Sequence, residues 1–366
     1  YIFISSINNR DIFKNRQETE ETIMMTILSG VGLLLVALAG FSLFSLKMPK
    51  GQLAMSGMAN AAVATFLVEA IHKYITGDLL GIDFFRTVGE TSGSLSGVAA
   101  AIMVPLSMGA NPVLSVVAGV AVGSYGILPG FIAGYLVGML SPIVEKKLPE
   151  GLNIILGALL IAPFAHLIAW ASDPVVTVLL TRIGGTITAA TEQSPIVMGF
   201  LLGGIMKMIC TSPLSSMALT AMLGLSGLPM GIAAIACVGG SFTNGIIFAR
   251  LKLGNKSNVI AVMLEPLTQA DIVTSNPIPI YCSNFFGGGL AGISAAVFQI
   301  INNAPGTASP IPGLLAPFAF NPPLQVVLAL AFAVAGGSLA GFVGSLVFKG
   351  HKKRAAETAS AVTVGA

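Results

Sequence analysis

The sequence predicts an all-α protein that crosses a membrane about eight to ten times and contains two re-entrant hairpins. Of its 366 residues, 54% are hydrophobic and 9% are charged, whereas charged residues make up roughly 25% of an average soluble domain. The mean hydropathy is +0.88, and the 43 glycines agree with the higher frequency of glycine in membrane helices. The formal net charge is only +3, so we expect lipid and no nucleic acid as a partner.

Charge divides the chain into three regions. Residues 1–21 form a polar N-terminal segment, 22–350 a transmembrane transport domain and 351–366 a basic, flexible cytoplasmic tail. A membrane-spanning helix needs about 20 mostly apolar residues. Runs of this kind lie at 22–46, 96–122, 126–144, 152–171, 195–210, 228–248, 280–302 and 324–348, the second being interrupted at Asn111-Pro112.

Three further segments are apolar but carry charges. Residues 55–76 end with Glu69, His72 and Lys73, so this segment could span the membrane and finish at an interface. Residues 79–92 and 174–193 mix apolar and charged side chains, which favours interfacial helices or amphipathic connectors.

Four stretches interrupt the apolar pattern, at 108–114, 210–216, 263–289 and 302–323. Irregular backbone at membrane depth persists only where protein or a water-filled cavity covers it. Paired broken segments in a transporter indicate a central binding site. The sequence therefore favours a carrier over a bundle of simple anchors.

Glu265 is the leading candidate for substrate binding. A charged side chain at membrane depth costs several kcal/mol, so such residues usually face a cavity. Pro266 disfavours a helical conformation at the residue before it, so we expect Glu265 at a helix break, where it could accept hydrogen bonds from sugar hydroxyls. The alternative is a solvated polar loop. Neighbouring candidates are Thr268, Gln269, Asp271, Thr274, Ser275 and Asn276.

Hydroxyl side chains form a second candidate site around Pro213. Thr211, Ser212 and Ser215 stand where a helix starts, and free N–H groups at a helix start favour polar or anionic ligands. The alternative is an ordinary capped helix, because serine and threonine are good capping residues.

Three more residues could contribute to a site. Lys207 interrupts an apolar helix and could either reach an interface or pair with a buried carboxylate. His166 lies in the middle of a helix, where a neighbouring helix could satisfy it, and Asn111 lies at a break. The three cysteines fit small buried hydrophobic residues, and we expect no metal site and no cofactor.

Three passages resemble a known transporter family when they are taken in order. They are GFIAGYLVGMLSPIVEKKLPEGLN, SPIVMGFLLGGIMKMICTSPLSSMALTAMLGLSGL and VMLEPLTQADIVTSNPIPIYCSNFFGGGLAG. The run from 130 to 300 resembles the membrane component, EIIC, of the phosphoenolpyruvate-dependent sugar phosphotransferase system (PTS). Within that family it is similar to the fructose-like branch and to the perfringolysin-regulator-type subgroup, and the first 90 residues match poorly.

The resemblance implies a sugar permease with two broken-helix hairpins around the sugar, multi-pass in the bacterial plasma (inner) membrane and homodimeric. Glu265 takes the place of the family's substrate glutamate. Separate cytoplasmic IIB and IIA components are implied as partners, with IIB phosphorylating the bound sugar. This chain carries no evident phosphoacceptor residue, so its own enzymatic status stays open. The alternatives are an uncoupled carrier of a small polar or anionic solute, and an EIIC-like membrane regulator or sensor.

Overall fold

A computed structural model describes residues 9–149, 152–212 and 216–350. This part of the chain is 85% helical and contains no strand, as the composition predicted. The predicted tail at 351–366, the first residues of the polar N-terminal segment and Ser215 lie outside the described residues.

The first half of the chain contains seven α-helices over its described residues. They are α1 (Asn9–Lys47), α2 (Gly51–Ala62), α3 (Asp83–Ser94), α4 (Ser96–Ser107), α5 (Pro112–Val122), α6 (Ile127–Lys147) and α7 (Asn153–Gln193). Helix α2 continues through π-helical turns at Val63–Leu67 and Ala70–Leu79. The whole run Gly51–Leu79 is long and apolar enough to cross a membrane.

The second half alternates long helices with short ones. The helices are α8 (Pro195–Thr211), α9 (Ser216–Met222), α10 (Gly227–Leu251), α11 (Lys256–Leu264), α12 (Ala270–Ser275), α13 (Pro277–Val297), α14 (Pro310–Leu315) and α15 (Pro323–Val347). Single 3₁₀ turns at Pro266–Gln269 and Ala316–Ala319 follow α11 and α14.

Six helical runs among the described residues are long and apolar enough to span a membrane, and the further apolar helical stretches, such as Met24–Leu33 within α1, are shorter. The predicted interruption at Asn111-Pro112 separates α4 from α5. In contrast, the predicted segments 152–171 and 174–193 form the single helix α7, with Pro163 and Pro174 inside it. Membrane helices tolerate proline because neighbouring groups satisfy the freed carbonyls, so these two prolines do not end the helix.

Helices α8, α10, α13 and α15 form the centre of the second half. Glycines let α8 and α13 approach closely: a Cβ on Gly292 would lie 2.0 Å from the carbonyl oxygen of Gly199, and one on Gly203 would lie 2.5 Å from that of Gly288. Such small residues drive close helix packing in membranes. Among the six candidate spans, α10 is the most enclosed, with 83% of its apolar 18-residue stretch buried.

Hydrogen bonds fix the directions of these helices. Thr243 on α10 donates to the Gly337 carbonyl at 2.7 Å, and Arg250 donates to Ser345 at 2.7 Å, so α10 and α15 run parallel. Helix α13 runs the opposite way, since Ser294 near its end donates to the Ala329 carbonyl at 2.5 Å. The C-terminal ends of α10 and α15 therefore lie together.

The N-terminal helices share this polarity. The ring of Tyr74, near the end of the run Gly51–Leu79, packs against Phe320, which precedes α15, so Lys50 lies at the opposite end. Lys50 Nζ donates to the Met108 carbonyl and Gly57 packs on Met103, so α2 and α4 are antiparallel. Gly130 packs on Gly97 and Gly138 on Pro105, so α4 and α6 are parallel. One end of the molecule, named here the basic end, thus collects the residues Lys47, Lys50, Lys146, Lys147, Arg250, Lys252, Lys256 and Lys349.

Candidate functional site

Three connections between helices extend into the bundle from its two ends and meet there. The segment 302–309 enters from the end opposite the basic end, where Asn302 N–H donates to the Gly227 carbonyl at 2.9 Å. The α8–α9 connection reaches it, since Ser216 Oγ donates to the Ala308 carbonyl at 2.5 Å. The hairpin α11–α12 enters from the basic end.

The α11–α12 hairpin extends from the basic end into the bundle, alongside the last turns of α10. Met263 fills the space beside Gly245, whose Cβ would lie 2.4 Å from the Met263 sulfur. Gly245 precedes the end of α10 by six residues, roughly 9 Å of helix. Glu265, two residues beyond Met263, accepts a hydrogen bond from Ser309 Oγ at 3.4 Å. The carboxylate thus lies where the three inward segments meet, and this region around Glu265 and Ser309 is named here the convergence point.

Glu265 terminates α11. Its backbone is extended, with φ −147° and ψ 94°, which is the conformation that Pro266 imposes on its predecessor. Its N–H still donates to the Ala261 carbonyl at 2.8 Å. Glu265 therefore lies at the end of a short helix, at the helix break that the sequence predicted.

The carboxylate of Glu265 is half-buried in the connection between candidate spans. Burial raises the pKa of Glu265 above the ordinary glutamate value, because a charge loses hydration in an apolar environment. Hydrogen bonds from the Leu267 N–H and the Ser309 hydroxyl, together with the positive charge of Lys207, favour the ionised form and oppose this rise.

Lys207 on α8 is fully buried, with 0% of its surface exposed. Its Nζ donates to the Cys237 carbonyl on α10 at 3.4 Å, so the side chain does not reach an interface. The ion pairs between described side chains are Lys73–Glu69 and Arg86–Asp78. Lys207 and Glu265 consequently attract each other without direct contact.

A chain of buried polar side chains continues from Lys207 between α8, α10 and α13. Thr211 Oγ1 donates to the Lys207 carbonyl at 3.0 Å, and Asn244 Nδ2 donates to Thr211 Oγ1 at 3.4 Å. Asn284 Nδ2 donates to Asn244 Oδ1 at 2.6 Å. The Oδ1 atom of Asn284 has no hydrogen-bond partner among the described residues.

The polar residues after Glu265 mainly stabilise their own hairpin. Thr268 Oγ1 donates to the Glu265 carbonyl at 2.8 Å. Gln269 donates to Thr268 and accepts a hydrogen bond from Asn258 Nδ2 at 2.7 Å. These contacts fix the turn on which Glu265 stands.

The remaining predicted residues of this hairpin lie on α12 and just after it. Thr274 is exposed, Ser275 is half-buried, and Asn276 is 1% exposed and donates to the Ile272 carbonyl at 3.1 Å. The side chain of Asp271 lies outside the described residues. In the α8–α9 connection, Ser212 donates to the Ile209 carbonyl at 2.8 Å.

Two predicted residues stand in other places. Asn111 caps α5, accepting a hydrogen bond from the Val113 N–H at 2.9 Å. His166 lies in an outward groove between α5 and α7, where its Nδ1 is 2.8 Å from the Ala121 carbonyl. Neither residue contacts the convergence point around Glu265.

Sequence reasoning missed several residues of the convergence point. Ser309 belongs to the stretch 302–323, which the pattern marked as broken but whose uncharged side chains gave no chemical signal. Cys210 and Cys237 were interpreted only as small hydrophobic residues; they are buried and free, and the Cys237 carbonyl accepts the hydrogen bond from Lys207. Only the packing of α8 on α10 brings these positions together.

Apolar helices around a converging set of broken, polar segments define a membrane protein of the solute-carrier class. A sequence model of the family described as "Phosphotransferase system, EIIC" matches residues 53–360, and the chain belongs to this family. It is accordingly the sugar-specific membrane permease component of a phosphotransferase system. The match begins at residue 53, so the family likeness extends further towards the N-terminus than the three quoted passages indicated. No curated protein matches the chain.

Proposed function

We propose that this EIIC component binds a sugar or polyol at Glu265 and exposes it alternately to the two sides of the membrane. The observation that carries the proposal is the position of Glu265. A carboxylate fixed at a helix break, where inward segments from both ends meet, can accept hydrogen bonds from the hydroxyls of a solute that arrives from either side.

Ser309 and the hydroxyls of the α8–α9 connection complete the proposed site. Ser309 already donates to Glu265, which orients the carboxylate. Thr211, at the end of α8, is fully buried within the polar chain. We further propose, from the resemblance, a fructose-like or perfringolysin-regulator-type subgroup, a homodimer in the bacterial inner membrane, and phosphorylation of the sugar by separate IIB and IIA components.

The test measures uptake of ¹⁴C-labelled hexoses and hexitols by cells that express the chain with its phosphotransferase partners. Glu265→Gln removes the charge but keeps the shape, and hydrogen bonds to charged groups contribute about 1.5–3 kcal/mol. We therefore expect uptake to fall at least tenfold at sub-saturating sugar. Glu192→Gln, on an exposed glutamate of α7, is the matched control and should leave uptake unchanged.

The alternatives give different results. Uptake that continues without phosphoenolpyruvate and releases unmodified solute would identify an uncoupled carrier. Binding to the purified protein without flux into proteoliposomes would identify a regulator. Full uptake by Glu265→Gln and by Glu265→Ala would remove Glu265 from the site.

A further inference from the structure

We propose that Asn284 is a second solute-binding residue, whose side-chain oxygen Oδ1 accepts a hydrogen bond from a hydroxyl group of the carried sugar or polyol. The inference rests on the proposed function, because it adds a contact to the same solute. Its basis is the row of three hydrogen bonds that joins Lys207, Thr211, Asn244 and Asn284, named here the polar relay.

The polar relay fixes which atom of each amide faces which neighbour. Thr211 Oγ1 lies 3.0 Å from the Lys207 carbonyl oxygen, and a carbonyl only accepts, so the hydrogen between them comes from the Thr211 hydroxyl. Thr211 then accepts from Asn244, which turns its Nδ2 towards the hydroxyl at 3.4 Å. The other side of that amide, Oδ1, accepts from Asn284 Nδ2 at 2.6 Å. Asn284 consequently directs its own Oδ1 away from the relay.

This oxygen is a buried acceptor that still needs a donor. Asn284 is 1% exposed, and its Oδ1 has no partner within the described part of the chain, an arrangement that is unfavourable unless a donor arrives. The Lys207 ammonium group does not supply one, because it donates to the Cys237 carbonyl. Cys237 precedes Asn244 by seven residues, roughly 10 Å along α10. The donor therefore comes from a bound molecule.

A solute hydroxyl suits this position better than a trapped water. A buried water makes about three hydrogen bonds, so it needs several free polar atoms. The neighbouring Ser283 Oγ also lacks a partner among the described residues, but it lies against Gly344 of α15, whereas Asn284 faces Asn244 of α10. A solute needs only the one acceptor here, because in the proposed function Glu265 holds it at another hydroxyl.

The polar relay borders the convergence point on two sides. Thr211 is the last residue of α8, so the α8–α9 connection begins at the relay. The glycine that follows Asn244 on α10 leaves the space that Met263 fills, two residues before Glu265. Glu265 and Asn284 thus offer two acceptors from different helices, and the solute they fit is a polyhydroxylated one that donates from at least two of its hydroxyls.

The test examines the hydroxyls of the solute one at a time. The probe is the ¹⁴C-labelled hexose or hexitol that the wild type takes up, bound to the purified protein in lipid nanodiscs, with its monodeoxy analogues as competitors. Removing the hydroxyl that binds Asn284 should weaken competition about fivefold, as for one neutral hydrogen bond. In Asn284→Leu, a residue of similar shape, the loss at that hydroxyl should disappear while the losses at the others remain.

Further variants separate the relay from general effects on the fold. Thr211→Val removes the hydroxyl that sets the direction of the amides, so it should reduce the same loss, whereas Thr211→Ser should retain it. Asn60→Leu, at an exposed asparagine of α2, is the matched control and should change none of the losses. If Asn284→Leu does not fold, the double variant with Asn244→Leu takes its place, because it removes both partners of the amide pair together.

The proposal would be overturned if every monodeoxy analogue lost the same affinity in Asn284→Leu as in the wild type, which is the result expected if a water occupied Oδ1. If Glu265→Gln abolished the loss at one hydroxyl while Asn284→Leu abolished none, the proposed function would stand and only the role of Asn284 would fall. Failure of every hexose and hexitol to bind the wild type would overturn both.

Discussion

At the scale of single residues, buried polar side chains interrupt an otherwise apolar interior. Asn244 and Asn284 are 0% and 1% exposed, and both lie in helices with otherwise apolar surroundings. A buried amide that keeps its partners costs little, whereas one that loses a partner costs about 1–3 kcal/mol. The pairing of these two asparagines is therefore directly testable.

Asn244→Leu should destabilise the protein by about 1–3 kcal/mol, because it leaves Asn284 Nδ2 without the acceptor that Asn244 Oδ1 provides. Replacing both asparagines by leucine removes most of the unsatisfied groups. The double variant should therefore unfold at a higher temperature than Asn244→Leu alone, as followed by thermal denaturation in detergent. A double variant less stable than the single one would contradict the pairing.

Ser309→Ala removes the hydroxyl that donates to Glu265 at 3.4 Å. A hydrogen bond of this length to a carboxylate contributes about 1 kcal/mol, so the affinity for the transported sugar should fall roughly fivefold. Equilibrium binding of a ¹⁴C-labelled hexose that the wild type takes up would measure this. Ser309→Thr keeps the donor and should retain most of the affinity.

The helix break at Glu265 could be predicted from sequence, because Pro266 disfavours a helical conformation at the residue before it. Ser309 and the two buried cysteines could not be found that way. Their residue types are common inside membrane helices, and their relevance comes from contacts across large sequence separations. The Lys207 side chain shows the same limit, since Gly240 and Gly288, the glycines that border it, lie 33 and 81 residues further along the chain.

At the scale of secondary structure elements, glycine positions decide how close the helices lie. Gly199, Gly203, Gly288 and Gly292 join α8 to α13 with almost no side chain between the backbones. The glycine content of the sequence does not indicate which helices would meet at these positions. Register between two helices follows from packing and is not encoded in either helix alone.

Gly292→Ala should separate α8 from α13, because the new methyl group would overlap the Gly199 carbonyl oxygen at 2.0 Å. Overpacking of this kind costs about 1–3 kcal/mol, which should lower the thermal unfolding midpoint. Gly185→Ala is the matched control: it lies in α7 with nothing within 4 Å of the new Cβ. That substitution should be neutral or stabilise by about 0.5 kcal/mol, and an equal loss in both variants would contradict the close packing.

At the scale of the whole molecule, the basic end predicts how the protein is oriented across the membrane. Lysine and arginine in short loops favour the cytoplasmic side, and the loops at Lys50, Lys146 and Lys252 all lie at this end. The parallel and antiparallel helix contacts place Lys47 and Lys50 with these loops, whereas the start of α1 at Asn9 lies at the other end of that helix.

Cysteine labelling in intact bacterial cells tests this direction. Starting from Cys282→Ser, since Cys282 is the exposed native cysteine, Lys252→Cys should be protected from a membrane-impermeant maleimide. Asp83→Cys, at the start of α3, should react. Permeabilised cells should expose both positions equally, and labelling of Lys252→Cys in intact cells would reverse the orientation.

Helix α7 contains 41 residues and is about 60 Å long, whereas the hydrocarbon layer is about 30 Å thick. Its first half is free of charge, and its second half carries Asp173, Arg182 and Glu192. An upright α7 would therefore extend about 30 Å beyond the hydrocarbon layer. A small tilt of its apolar half sweeps the far half through a larger arc, and Gly184 there touches the Leu223 carbonyl, on the loop that follows α9. A tilt of α7 in a bilayer of changed thickness would therefore act on the loop that joins α9 to α10.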